Sequence, residues 1–413
     1  MSGQSSPDGG DNDGGKPVLI GRIEGFNDKV VAAIILTRED GVISISEDRS
    51  VRFWLKRESG QYWPSICHYL PAIPSCLDFN ERTARLFVGL ENGVISEFTV
   101  AEDCNSINQK REYHTHKNGV NCVKHSTACE WLLSVGKDKQ LVWQCFETGR
   151  RLGGFAIGAW PMCLEFDEAA KCAFVGDYSG NISVLRLLDN ACTLVSKLSA
   201  HTGSVRALSW DADRQRLFSG SSDQIIIVWD IGGKKGNALE LNGHQSKISG
   251  LQYAVGNKKL VSVSDSGNLV FWDMAAERKE TPEWVSSDAC QKCDVPFFWN
   301  VKAMWNKKTV GYRQHHCRLC GAAVCAHCST HSTRYPKLGY EFEVRICDSC
   351  YQNLRDEEVA SSSSYANNLK SLAVFHNCKH SVSGMHLNEV KARLLTIGTD
   401  RVLKIWDVAK LVR

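Results

Sequence analysis

Residues 201–230, HTGSVRALSWDADRQRLFSGSSDQIIIVWD, contain two short runs rich in β-branched and aromatic residues, RLFSG and IIIVW, separated by the turn cluster SSDQ. An apolar residue, Val205, precedes the terminal Trp229 by 24 positions. Short apolar runs bounded by turn residues are typical of β-strands, and helical spacing is absent. We therefore interpret this stretch as belonging to a unit of four short strands.

Similar units recur along the chain at a nearly constant interval. The first five intervals are 44, 45, 42, 44 and 43 residues, and the sixth is 134 residues. A fixed period of this length indicates a repeat architecture, and the long last interval indicates an insertion of about 91 residues. The residues that end the seven units are Trp54, Phe98, Trp143, Leu185, Trp229, Trp272 and Trp406.

The units resemble the WD40 repeat, whose name-giving dipeptide stands at Trp229-Asp230, Trp272-Asp273 and Trp406-Asp407. The resemblance implies an all-β fold, a β-propeller with seven four-stranded blades. It also implies that His201, Asp223 and Trp229 form a buried hydrogen-bonded network. Scattered histidines of this kind could be interpreted as metal ligands, but we interpret them as structural groups inside the blades.

The repeats and the insertion predict how the chain is divided. Residues 17–23, PVLIGRI, are expected to close the ring, since an unpaired outer strand would invite aggregation. The alternative is that this stretch is only a linker. The expected segments are a disordered tail over 1–16, blades 1–6 with the closing strand over 17–277, a zinc finger over 284–354, a linker over 355–371 and the last blade over 372–410.

Composition excludes several classes of protein. Hydrophobic residues make up 43% of the 413 residues and the formal net charge is only +3, so we expect a folded chain without nucleic acid as a partner. The longest apolar run near the start, Val30 to Leu36, is far shorter than the roughly 20 residues of a membrane-spanning helix. The acidic, glycine-rich start lacks the pattern of a secretory signal, which predicts a cytosolic protein.

The insertion contains four CxxC pairs within 61 residues. Because Zn²⁺ in structural sites takes four thiolate or imidazole ligands, four such pairs predict two zinc ions. Spacing alone leaves open whether the pairs are used sequentially or in a cross-braced order. The other ten cysteines show no such pairing and are expected to be small core residues.

The sequence from Arg313 to Arg318, RQHHCR, and the later Arg345-Ile346-Cys347 resemble the FYVE zinc finger. The resemblance implies a cross-braced arrangement and a ligand, phosphatidylinositol 3-phosphate. The implied zinc ligands are Cys290, Cys293, Cys325 and Cys328 for one ion and Cys317, Cys320, Cys347 and Cys350 for the other.

The charge of the insertion agrees with an anionic ligand. Residues 284–350 contain nine Lys or Arg and five Asp or Glu, a local charge of +4. Guanidinium groups donate bidentate hydrogen bonds to phosphate, and protonated imidazoles add donors, so we expect binding to strengthen as the pH falls through about 6. The expected lipid-binding residues are Arg313, His315, His316, Arg318 and Arg345.

Residues around the basic sequence bear on membrane contact and on headgroup binding. Val310 and Tyr312 stand where the family carries an apolar loop that enters the bilayer. Phe297 and Phe298 are expected to pack in the core, and membrane contact by Trp305 stays open as an alternative. Gln314 replaces a basic residue of the family pattern, which predicts modestly weaker headgroup binding. Asp288 stands one residue further from Trp284 than in the family's WxxD motif.

The combination of repeats and finger resembles the WD repeat and FYVE domain-containing proteins. It implies a non-enzymatic adaptor on early endosomes, held by the finger while the propeller binds proteins, with a homo-oligomer adding avidity. A RING-like ubiquitin-ligase module and a PHD-like interaction module also use cross-braced zinc and stay open as alternatives. The chain contains no P-loop, nucleophile elbow or HExxH motif, so we expect no catalysis.

Overall fold

The computed structural model describes residues 15–232, 238–360 and 369–413. Seven antiparallel four-stranded blades surround a common axis, and the innermost strand of each blade contacts that of the next, including the last with the first. The predicted seven-bladed propeller is therefore confirmed. No helix in the described part of the chain is long and apolar enough to cross a membrane.

The blades follow one another in chain order, from the innermost strand outward. Blades 1 to 3 consist of β2 (Val30–Ile35), β3 (Gly41–Ser46), β4 (Ser50–Lys56), β5 (Tyr62–Tyr69); β6 (Pro74–Asn80), β7 (Arg85–Leu90), β8 (Val94–Val100), β9 (Ile107–His114); and β10 (Val120–Ser126), β11 (Trp131–Gly136), β12 (Gln140–Cys145), β13 (Arg151–Ala156). Blades 4 and 5 consist of β14 (Pro161–Asp167), β15 (Cys172–Asp177), β16 (Asn181–Leu187), β17 (Cys192–Ser199); and β18 (Val205–Asp211), β19 (Arg216–Ser221), β20 (Ile225–Asp230), β21 (Ala238–Asn242). Blades 6 and 7 consist of β22 (Ile248–Ala254), β23 (Lys259–Ser264), β24 (Asn268–Asp273), β29 (Ala373–Asn377); and β30 (Val382–Asn388), β31 (Arg393–Gly398), β32 (Leu403–Asp407) with β1 (Val18–Ile23).

The core lies between the faces of adjacent blades. The second strand of a blade is covered on both sides, so all six residues of β11 are buried, whereas most residues of the outer strand β17 are exposed. This explains the continuous apolar runs of the middle strands. Of the ten unpaired cysteines expected in the core, four are buried and five are partly buried. Cys67 is exposed because it lies on the outer strand β5.

Strand β1 completes the last blade from the other end of the chain. It pairs antiparallel with β32, with Val18 opposite Asp407 and Ile23 opposite Leu403. Ile23 is 2% exposed and packs with Leu403 and Ile405 in the core between blades 7 and 1. The outer edge of β32 is therefore covered. Of the predicted tail 1–16, only residues 15 and 16 lie within the described chain.

The insertion interrupts blade 6, which differs from the expected domain boundary. The outer strand of this blade is β29, which pairs with β24 across an interval of about a hundred residues and follows the insertion. The expected last blade over 372–410 therefore contributes its first residues to blade 6. Each sequence unit ends on the third strand of its blade. An insertion after that strand therefore separates the fourth strand from the other three along the chain.

Ser219 joins the predicted His201–Asp223–Trp229 network in blade 5. The Nδ1 atom of His201 lies 3.0 Å from a carboxylate oxygen of Asp223. The Nε2 atom of His201 lies 2.7 Å from the hydroxyl of Ser219, and the indole N–H of Trp229 donates to the same hydroxyl at 2.8 Å. Sequence reasoning missed this serine, because a serine inside a strand carries no distinctive local pattern.

The inserted segment forms a small zinc-finger fold of short elements. These are α1 (Val301–Lys307), β25 (His315–His316), β26 (Ala323–Val324), a 3₁₀ turn at Ala326–Cys328, β27 (His331–Tyr335), a second at Pro336–Leu338, β28 (Tyr340–Ile346) and α2 (Asp348–Ala360). Helix α2 extends into the segment 355–371 that was expected to be a linker. A last helix, α3 (Ala409–Val412), follows β32.

The inserted finger is docked on the rim of the propeller. Strand β28 lies parallel to β21, so β28 and β27 extend the sheet of blade 5 to six strands. The amide of Asn242 donates to the carbonyl of Gly339 at 2.8 Å. Gly339 has φ of +83°, and a Cβ atom there would collide with the carbonyl oxygen of Glu240, so glycine is required for this approach.

A buried carboxylate makes a second connection between finger and propeller. Glu341 is 4% exposed and accepts hydrogen bonds from the Ser371 hydroxyl at 2.8 Å and from the Leu372 amide at 3.1 Å. Burial raises the pKa of this carboxyl group. Nearby, the rings of Phe342 and Phe375 lie 5.5 Å apart. The finger thus packs against the residues that lead into β29.

Candidate metal centres and anion-binding surface

The four CxxC turns form two cysteine quartets. The first turn combines with the third, and the second combines with the fourth. Each quartet brings its four sulfur atoms within 4.8 Å of one another. In both, one cysteine of each pair is buried and the other is more exposed. The quartets are Cys290, Cys293, Cys325 and Cys328, and Cys317, Cys320, Cys347 and Cys350, which is the cross-braced order.

The geometry of both quartets fits zinc. Four thiolates about 2.3 Å from a tetrahedral ion lie about 3.8 Å apart. The sulfurs of Cys293 and Cys325 are 3.7 Å apart, and those of Cys320 and Cys347 are 4.0 Å apart. The prediction of two zinc ions is confirmed to this extent. Zinc held by four thiolates has no open coordination position, so here it would hold the finger together.

Hydrogen bonds lower the pKa of one cysteine in each quartet, whereas burial and contacts with neighbouring sulfurs raise the pKa of Cys293, Cys320, Cys328 and Cys350. The hydrogen bond with Cys350 is the main cause that lowers the pKa of Cys317 to about 4. The backbone amide of Cys347 also donates to the Cys317 sulfur at 3.2 Å. In the other quartet burial acts to raise the pKa of Cys290, but the backbone amides of Lys292 and Cys325 outweigh it and the pKa falls to about 7. Backbone N–H groups thus support both metal centres.

Strand β25 places the two histidines beside the second metal centre. His315 lies opposite Val324 of β26 and His316 opposite Ala323, and the chain continues directly into the ligand Cys317. The amide of Arg318 donates to the carbonyl of Arg345 at 3.1 Å, which joins this turn to the end of β28. This hydrogen bond brings Arg318 and Arg345 together, although they lie on segments far apart in sequence.

Three arginines lie near His315. Burial is the main cause that holds the pKa of His315 below its usual value. The positive charges of Arg345, Arg313 and Arg318 act in the same direction, so all three lie near this imidazole. His315 therefore takes up a proton at a lower pH than the sequence analysis assumed. None of the three arginines forms an ion pair with a carboxylate in the part of the chain that the structure describes.

The arginines differ in how firmly they are held. Arg345 donates to the carbonyl of Ser329 at 2.9 Å, and Arg318 donates to the carbonyl of His316 at 3.1 Å. Arg313 is exposed. Arg313 is therefore the cation of this surface whose removal disturbs the protein least.

Trp284 is an additional member of the surface. Its ring stacks on His316 with centroids 5.0 Å apart and planes at 13°, and the guanidinium of Arg318 lies 4.5 Å from the Trp284 ring centre. The indole thus orders both side chains. In the sequence, Trp284 was noted only as the first residue of a lengthened WxxD motif. That motif is the signal from which its role in this surface could have been predicted.

Asp288 is engaged by a residue of the long gap between the second and third zinc ligands. The indole N–H of Trp299 donates to a carboxylate oxygen of Asp288 at 3.2 Å, and the amide of Phe297 donates to the Asp288 carbonyl at 3.0 Å. The segment 294–316 is therefore packed against the motif that precedes the first ligand.

The predicted membrane loop is exposed, with differences among its residues. Val310 is 79% exposed, whereas Tyr312 is 37% exposed and its ring lies 4.8 Å from that of His327. Phe297 is fully buried, as expected. Phe298 is 55% exposed, so the prediction that it packs in the core is wrong. Phe297 forms a β-bridge with Tyr312, whereas Phe298 begins a turn, so only Phe297 faces the core.

The blades and the two cysteine quartets together make this chain a WD40 β-propeller that carries a two-zinc FYVE finger. Residues 283–356 match the family described as FYVE zinc finger. Residues 107–143, 192–230 and 237–273 match the family described as WD domain, G-beta repeat. The match to the FYVE zinc finger favours this class over the RING-like and PHD-like modules, which were the open alternatives.

The chain belongs to the WD repeat and FYVE domain-containing proteins. It is 51% identical over 397 residues to WD repeat and FYVE domain-containing protein 2 of Mus musculus, which covers 96% of this chain and 97% of that protein. It is 46% identical over 397 residues to protein 1 of the same family and species, covering 96% and 94%. It is 44% identical over 395 residues to protein 2 of Caenorhabditis elegans, covering 96% and 93%.

The propeller also resembles a solved structure with little sequence similarity. The WD40 β-propeller domain of Doa1 superimposes with a TM-score of 0.61 at 12% identity, covering 94% of this chain and 96% of that one. At this identity the likeness concerns the fold alone.

Proposed function

We propose that this protein is a non-enzymatic adaptor that binds phosphatidylinositol 3-phosphate on early endosomes through its finger and binds protein partners through its propeller. The observation that carries the proposal is the group of three arginines around His315, which have no carboxylate partner among the described residues. Clustered guanidinium groups without a counter-ion repel one another, so a phosphate that they share relieves this repulsion.

The arrangement assigns a task to each part of the surface. Arg313, Arg318 and Arg345 bind the phosphates, while His315 and His316 donate hydrogen bonds from the strand between them. Trp284 keeps Arg318 and His316 in place. Zinc, when bound, cross-links the two segments that carry these side chains. Val310, and to a lesser extent Tyr312, enters the adjoining lipid because it is the more exposed of the two.

The proposal is tested by co-sedimenting the full-length, zinc-loaded protein with vesicles that carry one singly phosphorylated phosphoinositide at a time. Binding should be selective for the 3-phosphate and should be lost after zinc chelation. Arg313→Ala should weaken this binding by about tenfold or more, because a charge-assisted hydrogen bond is lost. Arg355→Ala, which removes an exposed arginine from α2, is the matched control and should bind normally. Equal binding to all phosphoinositides, or to none, would refute the proposal.

An exposed aromatic pair lies at one end of blade 4. Trp160, which precedes β14, and Tyr178, which lies between β15 and β16, are 52% and 60% exposed with their ring centres 6.0 Å apart. Exposed aromatic pairs are typical of protein interfaces. We propose this pair as part of the surface that binds a partner. A partner should then lose binding to Trp160→Ser and keep it with Trp63→Ser, an exposed tryptophan on blade 1.

Self-association would strengthen attachment to a membrane because one finger binds weakly by itself. We propose a homo-oligomer for this reason. Light scattering of the purified protein measures its mass directly, and a monomer at all concentrations tested would contradict this part of the proposal.

A further inference from the structure

Helix α1 exposes two apolar residues on the same side. Trp305 is 84% exposed and Val301 is 65% exposed, and no residue of this helix is buried. Residues four positions apart lie on the same face of a helix. We call Val301 and Trp305 together the α1 ridge. A side chain as large as tryptophan gains from removal of its apolar surface from water, so an uncovered ridge of this kind fits a site that is covered in the working state.

Helix α1 is nevertheless well defined by its own sequence. The side chain of Asn300 accepts the amide of Ala303 at 3.1 Å and caps the N-terminus. At the other end Lys308 adopts a left-handed conformation with φ of 48° and closes the helix. The ridge is therefore presented on an ordered element.

The helix is also joined to the loop that contains Val310. The amide of Thr309 donates to the carbonyl of Met304 at 3.2 Å, and the amide of Gly311 lies 3.0 Å from the Met304 sulfur. Arg313 follows Gly311 by two residues and precedes β25. The ridge, the exposed loop and the proposed headgroup surface thus form one continuous end of the finger.

The charge around the ridge favours an anionic surface. Residues 294–313 contain four basic residues and one acidic residue, Asp294, which pairs with Lys307. Lys302, Lys308 and Arg313 form no ion pair among the described residues, and the net charge of this segment is +3. Apolar side chains surrounded by lysines are the pattern with which proteins attach to the interface of bilayers that contain anionic lipids.

We infer that the α1 ridge is a second membrane anchor, in which Trp305 and Val301 enter the interfacial region of the bilayer beside Val310. This inference rests on the proposed function, because the same membrane supplies the headgroup. It assigns a role to the long segment between Cys293 and Cys317. The occupant is a lipid bilayer, since the ridge adjoins the headgroup surface and carries the matching charge.

The test compares Trp305→Ser with Trp63→Ser in the full-length, zinc-loaded protein. Trp63 is 57% exposed on β5 of blade 1, so its replacement controls for the loss of an exposed indole. Two ligands are used: vesicles of phosphatidylcholine, phosphatidylserine and phosphatidylinositol 3-phosphate, and the soluble headgroup inositol 1,3-bisphosphate. Bromine-labelled lipids, which quench tryptophan fluorescence on contact, are the third readout.

The expected results separate the anchor from the headgroup surface. Trp305→Ser should weaken vesicle binding by about tenfold and leave binding of the soluble headgroup within about twofold. Val301→Ser should show a smaller loss in the same direction. Bromine-labelled vesicles should quench the unmodified protein more than Trp305→Ser, and Trp63→Ser should behave like the unmodified protein in every assay.

Several results would overturn the inference. These are unchanged vesicle binding by Trp305→Ser, equal quenching with and without Trp305, and an equal loss of binding to vesicles and soluble headgroup. A change of oligomer mass in Trp305→Ser without vesicles would show that a second copy of the chain covers the ridge. If the unmodified protein binds neither ligand, the proposed function itself fails and the anchor fails with it.

Discussion

Ser219 shows how one side chain can hold a blade together. Its hydroxyl accepts the indole N–H of Trp229 and also bonds His201, so both buried groups depend on it. The equivalent Ser134 in blade 3 bonds His116 at 2.9 Å, but Trp143 of that blade donates instead to the carbonyl of Leu188 in the next blade. Two similar units thus distribute their hydrogen bonds differently.

This difference predicts unequal effects of the same substitution. Ser219→Ala leaves two buried polar groups without a partner and should lower the free energy of unfolding by about 3 kcal/mol, whereas Ser134→Ala leaves one and should cost about 1.5 kcal/mol. The urea midpoint, followed by tryptophan fluorescence, measures both. Equal losses in the two variants would contradict the assigned role of Ser219.

His244 in blade 6 predicts a loss of stability in acid. Its Nε2 atom lies 2.7 Å from the Ser262 hydroxyl, and its Nδ1 atom is buried without a partner in the described chain. Burial lowers the pKa of His244 to about 4. An unfolded histidine has a pKa of about 6.5, so as the pH falls below that value the unfolded state binds a proton that the native state does not. The contribution is complete above about pH 6.5 and decreases toward pH 4.

The measurement compares the unmodified protein with His244→Gln at about pH 7.5 and about pH 5, where the difference in unfolding free energy should shrink by about 2 kcal/mol. Protonation of the zinc ligands affects both proteins equally and cancels. A difference that does not depend on pH would show that His244 is not the titrating group.

At the scale of elements, β1 determines whether the ring is closed. It covers the outer edge of β32 with residues from the opposite end of the chain. A chain that begins at residue 24 should therefore expose an unpaired strand edge, melt at a lower temperature and aggregate. A chain that begins at residue 15 keeps β1 and is the control. Identical melting temperatures and solubility for the two would contradict the importance of this pairing.

At the scale of the whole molecule, Gly339 couples the finger to the propeller. Gly339→Ala places a Cβ against the carbonyl of Glu240 and should loosen the contact between β28 and β21. We expect faster hydrogen exchange at the amide of Asn242, with binding of the soluble headgroup retained because the zinc-bound core is untouched. A more loosely docked finger should weaken vesicle binding by an oligomer, because several fingers must face the membrane at the same time. It should not weaken vesicle binding by a monomer.

Gly60→Ala is the matched control for this substitution. Gly60 has a similar φ of +84°, but a Cβ atom there meets nothing within 4 Å. The backbone strain of the two variants is therefore comparable, and only Gly339→Ala adds the collision. If both variants exchange hydrogen at the amide of Asn242 at the same rate, the docking contact is not what Gly339 maintains.

Features that leave a local or periodic pattern could be predicted from the sequence alone. The interval of about 43 residues predicted the repeated blades, because each blade buries the same positions of its strands. The CxxC pairs predicted two zinc ions, because a pair of sulfurs on one short turn is the smallest unit that holds half of a tetrahedral site. The resemblance of RQHHCR to the FYVE strand supplied the cross-braced order, which spacing alone left open.

Contacts between segments with no periodic relation could be read only from the folded chain. The pairing of β29 with β24, the contact between Asn242 and Tyr340 and the hydrogen bond from Trp299 to Asp288 join residues whose separation follows no period. Phe297 and Phe298 are equally apolar in sequence, and only the side to which each points buries one and exposes the other. Local patterns record what each strand or turn requires of its own neighbours, whereas docking of the finger depends on the shape of a surface that exists only after the blades have assembled.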